Sequence, residues 1–177
     1  LAQHNDVTVL DVDPVRVNKI NNNQSTVSDF EIESFLGERS LSLSATLDKS
    51  ESYFDANFII VATPTNYDET TNQFDTSLVD SVVEDALHFN NSASVIIKST
   101  VPVGHTKSLQ KKFSTDRVIF SPEFLREGSA LKDNLNPSRI IIGSRCHFAR
   151  QFSELLKQGA EKINIETLFM DSSEAEA

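Results

Sequence analysis

Four short runs, Phe58-Ile59-Ile60-Val61-Ala62, Val95-Ile96-Ile97, Val118-Ile119-Phe120 and Ile140-Ile141-Ile142, restrict this chain more than anything else in it. Each is apolar at every position and too short for a buried helix, the pattern of a strand covered on both faces. Helical periods separate them: Leu78, Val79, Val82, Val83, Ala86 and Leu87, then Leu109 with Phe113, then Phe148, Phe152, Leu155 and Leu156. Strands buried on both faces and alternating with helices imply an α/β fold with a doubly wound, mostly parallel sheet. The five prolines agree, because Pro14, Pro64, Pro102, Pro122 and Pro137 all fall at element edges in this reading.

The rest of the chain fits the same frame. Leu1 to Asn5 reads as the end of a helix, and Val7-Thr8-Val9-Leu10 as a strand ending at Asp11-Val12-Asp13. Asp13-Pro14 then pairs an N-cap with a proline at the first helical position, a helix start that Asn21-Asn22-Asn23 closes. Phe30, Ile32, Phe35 and Leu36 suggest a short helix, and Leu41 to Ala45 alternates with the period of a half-wet strand. Asn66 to Asp75 is polar without an apolar period and reads as a loop. Asn136-Pro137 is a turn, Ile165 to Met170 a last strand, and Ser173 with Glu176 a capping box for a following helix.

With 177 residues, one domain is expected. A net charge of −10 and no basic stripe speak against a nucleic acid or an anionic membrane as partner. An anionic small ligand needs only a few local donors. The single cysteine, Cys146, permits no intrachain disulfide, which fits a cytoplasmic, reducing setting. No apolar stretch approaches the ~20 residues of a membrane span, and no signal peptide is recognisable. None of the four histidines has metal-ligand spacing, so no metal is expected. The chain opens Leu1-Ala2-Gln3-His4, without methionine, and reads as a fragment.

Three buried strands end alike, in Thr63-Pro64-Thr65, Lys98-Ser99-Thr100 and Ser121-Pro122-Glu123. In open α/β sheets, ligands bind outside the carboxyl ends of the strands. Hydroxyls and a carboxylate at one such edge therefore suggest a shared site. Arg126, Glu127 and Gly128 follow directly. Asp11 adds an acid after an earlier strand, the place from which a dinucleotide-binding sheet reaches the adenosine ribose; it would also repel the extra phosphate of NADP. The glycine-rich turn expected ~20 residues earlier would fall before Leu1.

Together these pieces resemble the UDP-glucose/GDP-mannose dehydrogenase family, NAD-dependent enzymes that oxidise the primary alcohol of a nucleotide sugar to a carboxylate. The matching runs are Val9 to Asp13, Val61 to Thr65, Ile97 to Gly104 and Phe120 to Ala130, with Asn136 to Arg139 and Ser173 to Ala177 also fitting. The resemblance implies a Rossmann-like NAD-binding domain over residues 1–177, lacking its first strand and glycine turn, with the central helix and the second, nucleotide-sugar domain lying elsewhere. It makes Asp11 the ribose-binding acid, puts Arg16 beside the adenosine end, and lays Thr63 and Thr65 against the cofactor. Thr100 resembles the threonine that holds a catalytic water, also near the cofactor. Glu123 resembles the carboxylate that assists proton transfer in the later, hydrolytic stage. Phe124, Leu125 and Arg126, with Glu123, line the sugar-nucleotide pocket, and Glu127 lies between nicotinamide and sugar. A carboxylate near a hydroxyl-held water is a sound general base.

The family's nucleophilic cysteine lies beyond residue 177 in its own context, so Cys146 is not that residue, and the active-site lysine is missing too. By the resemblance, the full-length enzyme turns UDP-glucose into UDP-glucuronate as a homodimer, and this chain alone oxidises nothing. GDP-mannose and UDP-N-acetylmannosamine dehydrogenases share much of the pattern. A receiver-type signalling domain is the rival of another class, with Asp11 and Asp13 as its acidic pair, but it needs an aspartate where Thr63-Pro64 stands.

Overall fold

The computed structural model describes residues 1–68, 73–126 and 128–177. They form two compact units: Leu1–Phe54 with Phe124–Ser138 and Leu155–Ile165, and Asp55–Glu123 with Arg139–Glu154 and Glu166–Ala177.

The first unit is built on a parallel strand pair, β1 (Val7–Leu10) and β2 (Leu43–Thr46), with Val7 opposite Leu43 and Leu10 opposite Thr46. Between them run α1 (Pro14–Asn21) and α2 (Phe30–Glu38); α3 (Lys49–Tyr53) follows β2. All three helices start on an aspartate. Asp13 accepts from the Val15 N–H, Asp29 from those of Glu31 and Ile32, and Asp48 from those of Ser50 and Glu51. Each side chain satisfies N–H groups that the first turn leaves without an intrahelical partner. At the far end of α1, the Asn21 side chain takes the place of a neighbouring strand. Its amide donates to the Ala45 carbonyl at 2.9 Å and its oxygen accepts from the Ala45 N–H at 2.7 Å.

The second unit holds the main core. Its strands β3 (Phe58–Val61), β6 (Ser94–Ile97) and β7 (Val118–Phe120) are parallel, in the order β3-β6-β7. Every residue of the central strand β6 is buried. Parallel neighbours need long crossovers, here supplied by α4 (Ser77–Phe89) and α5 (His105–Lys112). The Val79, Val83 and Ala86 stripe of α4 is fully buried. Beyond β7, the Gly143 N–H donates to the Phe120 carbonyl at 2.7 Å, and the Ser121 hydroxyl to that of Ile141 at 3.0 Å. These bonds attach β8 (Arg139–Ile142), which pairs in parallel with β9 (Glu166–Phe169). In α7 (His147–Gln158), Phe152 is fully buried, its ring 5.6 Å from that of Phe58. A methyl group on Gly143 would lie 2.9 Å from the Ser172 Cα, so only glycine lets the end of β8 meet the last helix, α8 (Ser172–Glu176).

The α/β class with parallel strands is as read from the sequence, and the apolar runs and Asp13-Pro14 lie where expected, but β3 is not covered on both faces: Ile59 and Val61 are buried while Ile60 between them is exposed. Four further local readings change. Leu1 to Asn5 is a turn, with the His4 and Asn5 N–H groups both on the Leu1 carbonyl, rather than a helix end. Asn66 to Asp75 is not simply a loop: β4 (Asn66–Asp68) pairs antiparallel with β5 (Gln73–Asp75), and the Tyr67 and Phe74 rings meet edge-on at 5.1 Å. The capping box of α8 is Asp171 with Glu174, not Ser173 with Glu176. Glu176 instead reaches α5, accepting from the Gly104 N–H at 2.6 Å and the Thr106 N–H at 2.8 Å. Gly104, the N-cap of that helix at φ +90°, has no side chain to do this. Finally, α3 and α6 (Ala130–Leu135) were not anticipated.

Candidate functional site

In the second unit the register of the central strands sets Val61, Ile97 and Phe120 level with one another. The residues that follow them therefore leave the sheet at one edge. The Ser99 hydroxyl donates to the Thr63 carbonyl at 2.7 Å and lies 3.5 Å from the Thr63 hydroxyl. Backbone bonds fix the next steps: the Lys98 N–H reaches the Val61 carbonyl at 2.9 Å, and the Ser121 N–H that of Ile97 at 2.9 Å. Ser99 and Ser121 are buried, Thr63 and Thr65 half-buried, and Thr100 exposed.

Across this edge Lys98 meets Glu123. Its Nζ lies 3.4 Å from Glu123 Oε1 and donates to the Ser121 carbonyl at 3.4 Å. The Lys98 side chain is only 11% exposed, that of Glu123 36%. Burial pulls the ammonium below the usual lysine value, while the charge of Glu123 and its hydrogen bond push the other way. The edge thus joins a carboxylate, a buried cation and hydroxyls, a set able to hold a water or an alcohol and move a proton. The sequence places Lys98 at a strand end and offers it as the lysine of the rival receiver-type domain, but does not count it among the site residues of the dehydrogenase. Its signal was its place: of the four buried apolar runs, only Val95 to Ile97 is followed at once by a lysine.

In the first unit Asp11 ends β1, and its backbone N–H donates to the Thr46 carbonyl at 3.3 Å. One carboxylate oxygen accepts from the Asp13 N–H at 2.9 Å, and the other lies 3.6 Å from the Arg16 guanidinium. Arg16 also approaches Asp13 at 3.8 Å. These contacts leave lone pairs of Asp11 open to further donors, which suits an acid meant to accept from ribose hydroxyls. The residues expected near the cofactor thus fall in both units: Asp11 and Arg16 in one, Thr63, Thr65 and Thr100 in the other.

The segment expected to line the sugar pocket is partly committed elsewhere. Phe124 and Leu125 are exposed. Arg126 instead forms a two-pronged bond with Asp133, Nε to Oδ2 at 3.1 Å and an Nη to Oδ1 at 2.7 Å, and its N–H joins the same carboxylate at 2.9 Å. These bonds lower the Asp133 carboxyl to about 2 and raise Arg126. Glu127 lies outside the described residues. Among those described, no group of three or more His, Cys, Asp or Glu is placed to hold a metal ion, and no helix is long and apolar enough to cross a membrane.

Parallel strands with polar and charged residues at their carboxyl ends, in each unit, are the pattern of nucleotide-binding α/β proteins. The comparisons narrow the class. The profile of the UDP-glucose/GDP-mannose dehydrogenase family, NAD binding domain, matches residues 1–158, and the chain belongs to that family. NAD is its cofactor. The chain is 47% identical to UDP-glucose 6-dehydrogenase of Streptococcus pneumoniae over 99% of its own length and 46% of that protein's. It is 46% identical to UDP-glucose 6-dehydrogenase of Campylobacter jejuni over 98% and 44%. The solved UDP-glucose dehydrogenase of Pyrobaculum islandicum superposes with a TM-score of 0.81 at 26% identity, over 97% of this chain and 42% of that one. The chain thus spans less than half the length of these relatives.

Proposed function

We propose that the full-length protein oxidises UDP-glucose to UDP-glucuronate with NAD, in two successive two-electron steps. The observation that carries this reading is the level ending of β3, β6 and β7, which sets Thr63, Ser99, Lys98 and Glu123 at one edge. The two relatives named UDP-glucose 6-dehydrogenase, at 47% and 46% identity, favour glucose over mannose as the sugar. NAD would supply a hydride acceptor for each of the two steps; this chain's part is to hold it and to manage protons. Asp11 accepts from the adenosine ribose, with Arg16 alongside, and Thr63 and Thr65 lie against the cofactor. Thr100 fixes a water, Glu123 removes its proton in the hydrolytic stage, and Glu127 stands between nicotinamide and sugar. Phe124, Leu125 and Arg126 line the sugar-nucleotide pocket. Residues 1–177 act as one cofactor domain, inactive alone, of a cytoplasmic homodimer.

The test is NADH formation by the full-length protein, with UDP-glucose and GDP-mannose compared at saturating NAD. Faster turnover of GDP-mannose would overturn the substrate. Glu123→Gln keeps size but cannot accept a proton, and general-base help is worth roughly 10²–10⁴-fold. That variant should give an early burst of NADH, then stall with substrate held covalently, as intact-mass detection would show. Turnover at the wild-type rate would refute the role given to Glu123.

A further inference from the structure

Lys98 is a cation in a place that disfavours one. It follows a strand buried at every residue, its N–H is tied to Val61, and its side chain is 11% exposed. Lysines so enclosed are rare unless paired. An apolar side chain of the same length would fill the space without the desolvation penalty, and buried ion pairs often stabilise no better than such a replacement. Packing therefore does not account for the charge. The two groups its ammonium meets do: the Ser121 carbonyl, which holds the amine in place, and Glu123, whose carboxylate it faces at 3.4 Å. Glu123 follows Pro122 in a stretch with no regular structure, so a buried, backbone-anchored partner limits where its carboxylate points. Among the described residues, Lys98 is the charged partner of Glu123.

We propose that Lys98 is a positioning residue for Glu123, anchored on the Ser121 carbonyl and keeping the carboxylate turned to the strand-end edge. The inference rests on the reading that Glu123 is the base of the hydrolytic stage.

The experiment measures kcat and KM in the full-length protein with UDP-glucose and NAD. Lys98→Met should lower kcat at least about tenfold, with KM for UDP-glucose within about threefold. Lys98→Arg, which keeps the charge, should restore most of kcat. Lys98→Gln, neutral but still able to donate to Ser121, should behave like Lys98→Met and serves if that variant does not fold. A purely structural role would lower the melting temperature and leave kcat of the folded protein near its wild-type value, and that result would overturn the proposal. In a Glu123→Gln background, Lys98→Met should cost almost nothing further, because the partner it positions is gone; a full additive loss would also overturn it. A wild-type protein that does not oxidise UDP-glucose would instead fail the functional reading, before any Lys98 variant is compared.

Discussion

Asn90, the C-cap of α4, is 4% exposed and holds three segments together, two through its side chain and one through its backbone carbonyl. Its amide donates to the Ala56 carbonyl at 3.0 Å, ahead of β3. Its oxygen accepts from the N–H groups of Ser92 and Ala93 at 2.9 and 2.8 Å, at the entry to β6. Its own carbonyl accepts from Arg117 at 3.1 Å, just before β7. Asn90→Ala deletes the side-chain bonds. Ser92 is exposed and can turn to water, but Ala93 is 1% exposed and its N–H would be stranded. A stranded buried group costs about 1–3 kcal/mol. Adding the partly covered Ala56 carbonyl gives a loss of about 3 kcal/mol. For a domain of this size that is roughly 10 °C in Tm. Thermal and urea unfolding of the full-length protein would measure the loss, and hydrogen exchange at the Ala93 amide would localise it. Asn90→Asp keeps the acceptors but loses the donor and buries a charge, so it should be no milder. A loss under about 1 kcal/mol, with exchange at Ala93 unchanged, would refute the reasoning.

Two further outcomes are expected. NMR titration should find the Asp133 carboxyl near 2 and, in Arg126→Gln, moved toward the ordinary 3.8. Because the folded-state value lies below the unfolded one, the stabilisation is present above pH 3.8 and lost as pH falls toward about 2. Gly143→Ala sets a methyl 2.9 Å from the Ser172 Cα and 3.2 Å from the Phe120 carbonyl oxygen, so backbone must shift. An overpacking loss of about 1–3 kcal/mol by urea unfolding is expected, and an unchanged midpoint would contradict the close approach.

What the sequence disclosed was what chemistry fixes within a few residues. Asp13 beside Pro14 announces a helix because cap and first turn are neighbours. Val95 to Ile97 announces a buried strand because the run is apolar throughout and too short for a buried helix. The level strand ends followed from that, so Thr63 and Glu123 were legible as edge residues. The β4–β5 hairpin was not, because its arms of three residues are too short for alternation to show. The cap of α8 was misread because Asp171 and Ser173 are both good N-caps. The choice went to Asp171, whose N–H Glu174 can reach at 3.0 Å. The pairing of Lys98 with Glu123, 25 positions on, depends on which strands are neighbours, and spacing does not report that.

The bonds from Gly104 and Thr106 to Glu176 join residues 72 and 70 positions apart. On a ribosome adding about 5–20 residues each second, the start of α5 emerges some 4–14 s before its acceptor exists. Eight residues are too few for a helix to persist alone in water, although helix formation itself takes only about a microsecond. The segment that follows the Lys98-Ser99-Thr100 edge is therefore finished late, and the pace is set by synthesis rather than by folding. A stalled chain released before residue 176 would carry β3, β6 and β7 with the Gly104 and Thr106 N–H groups lacking the Glu176 carboxylate.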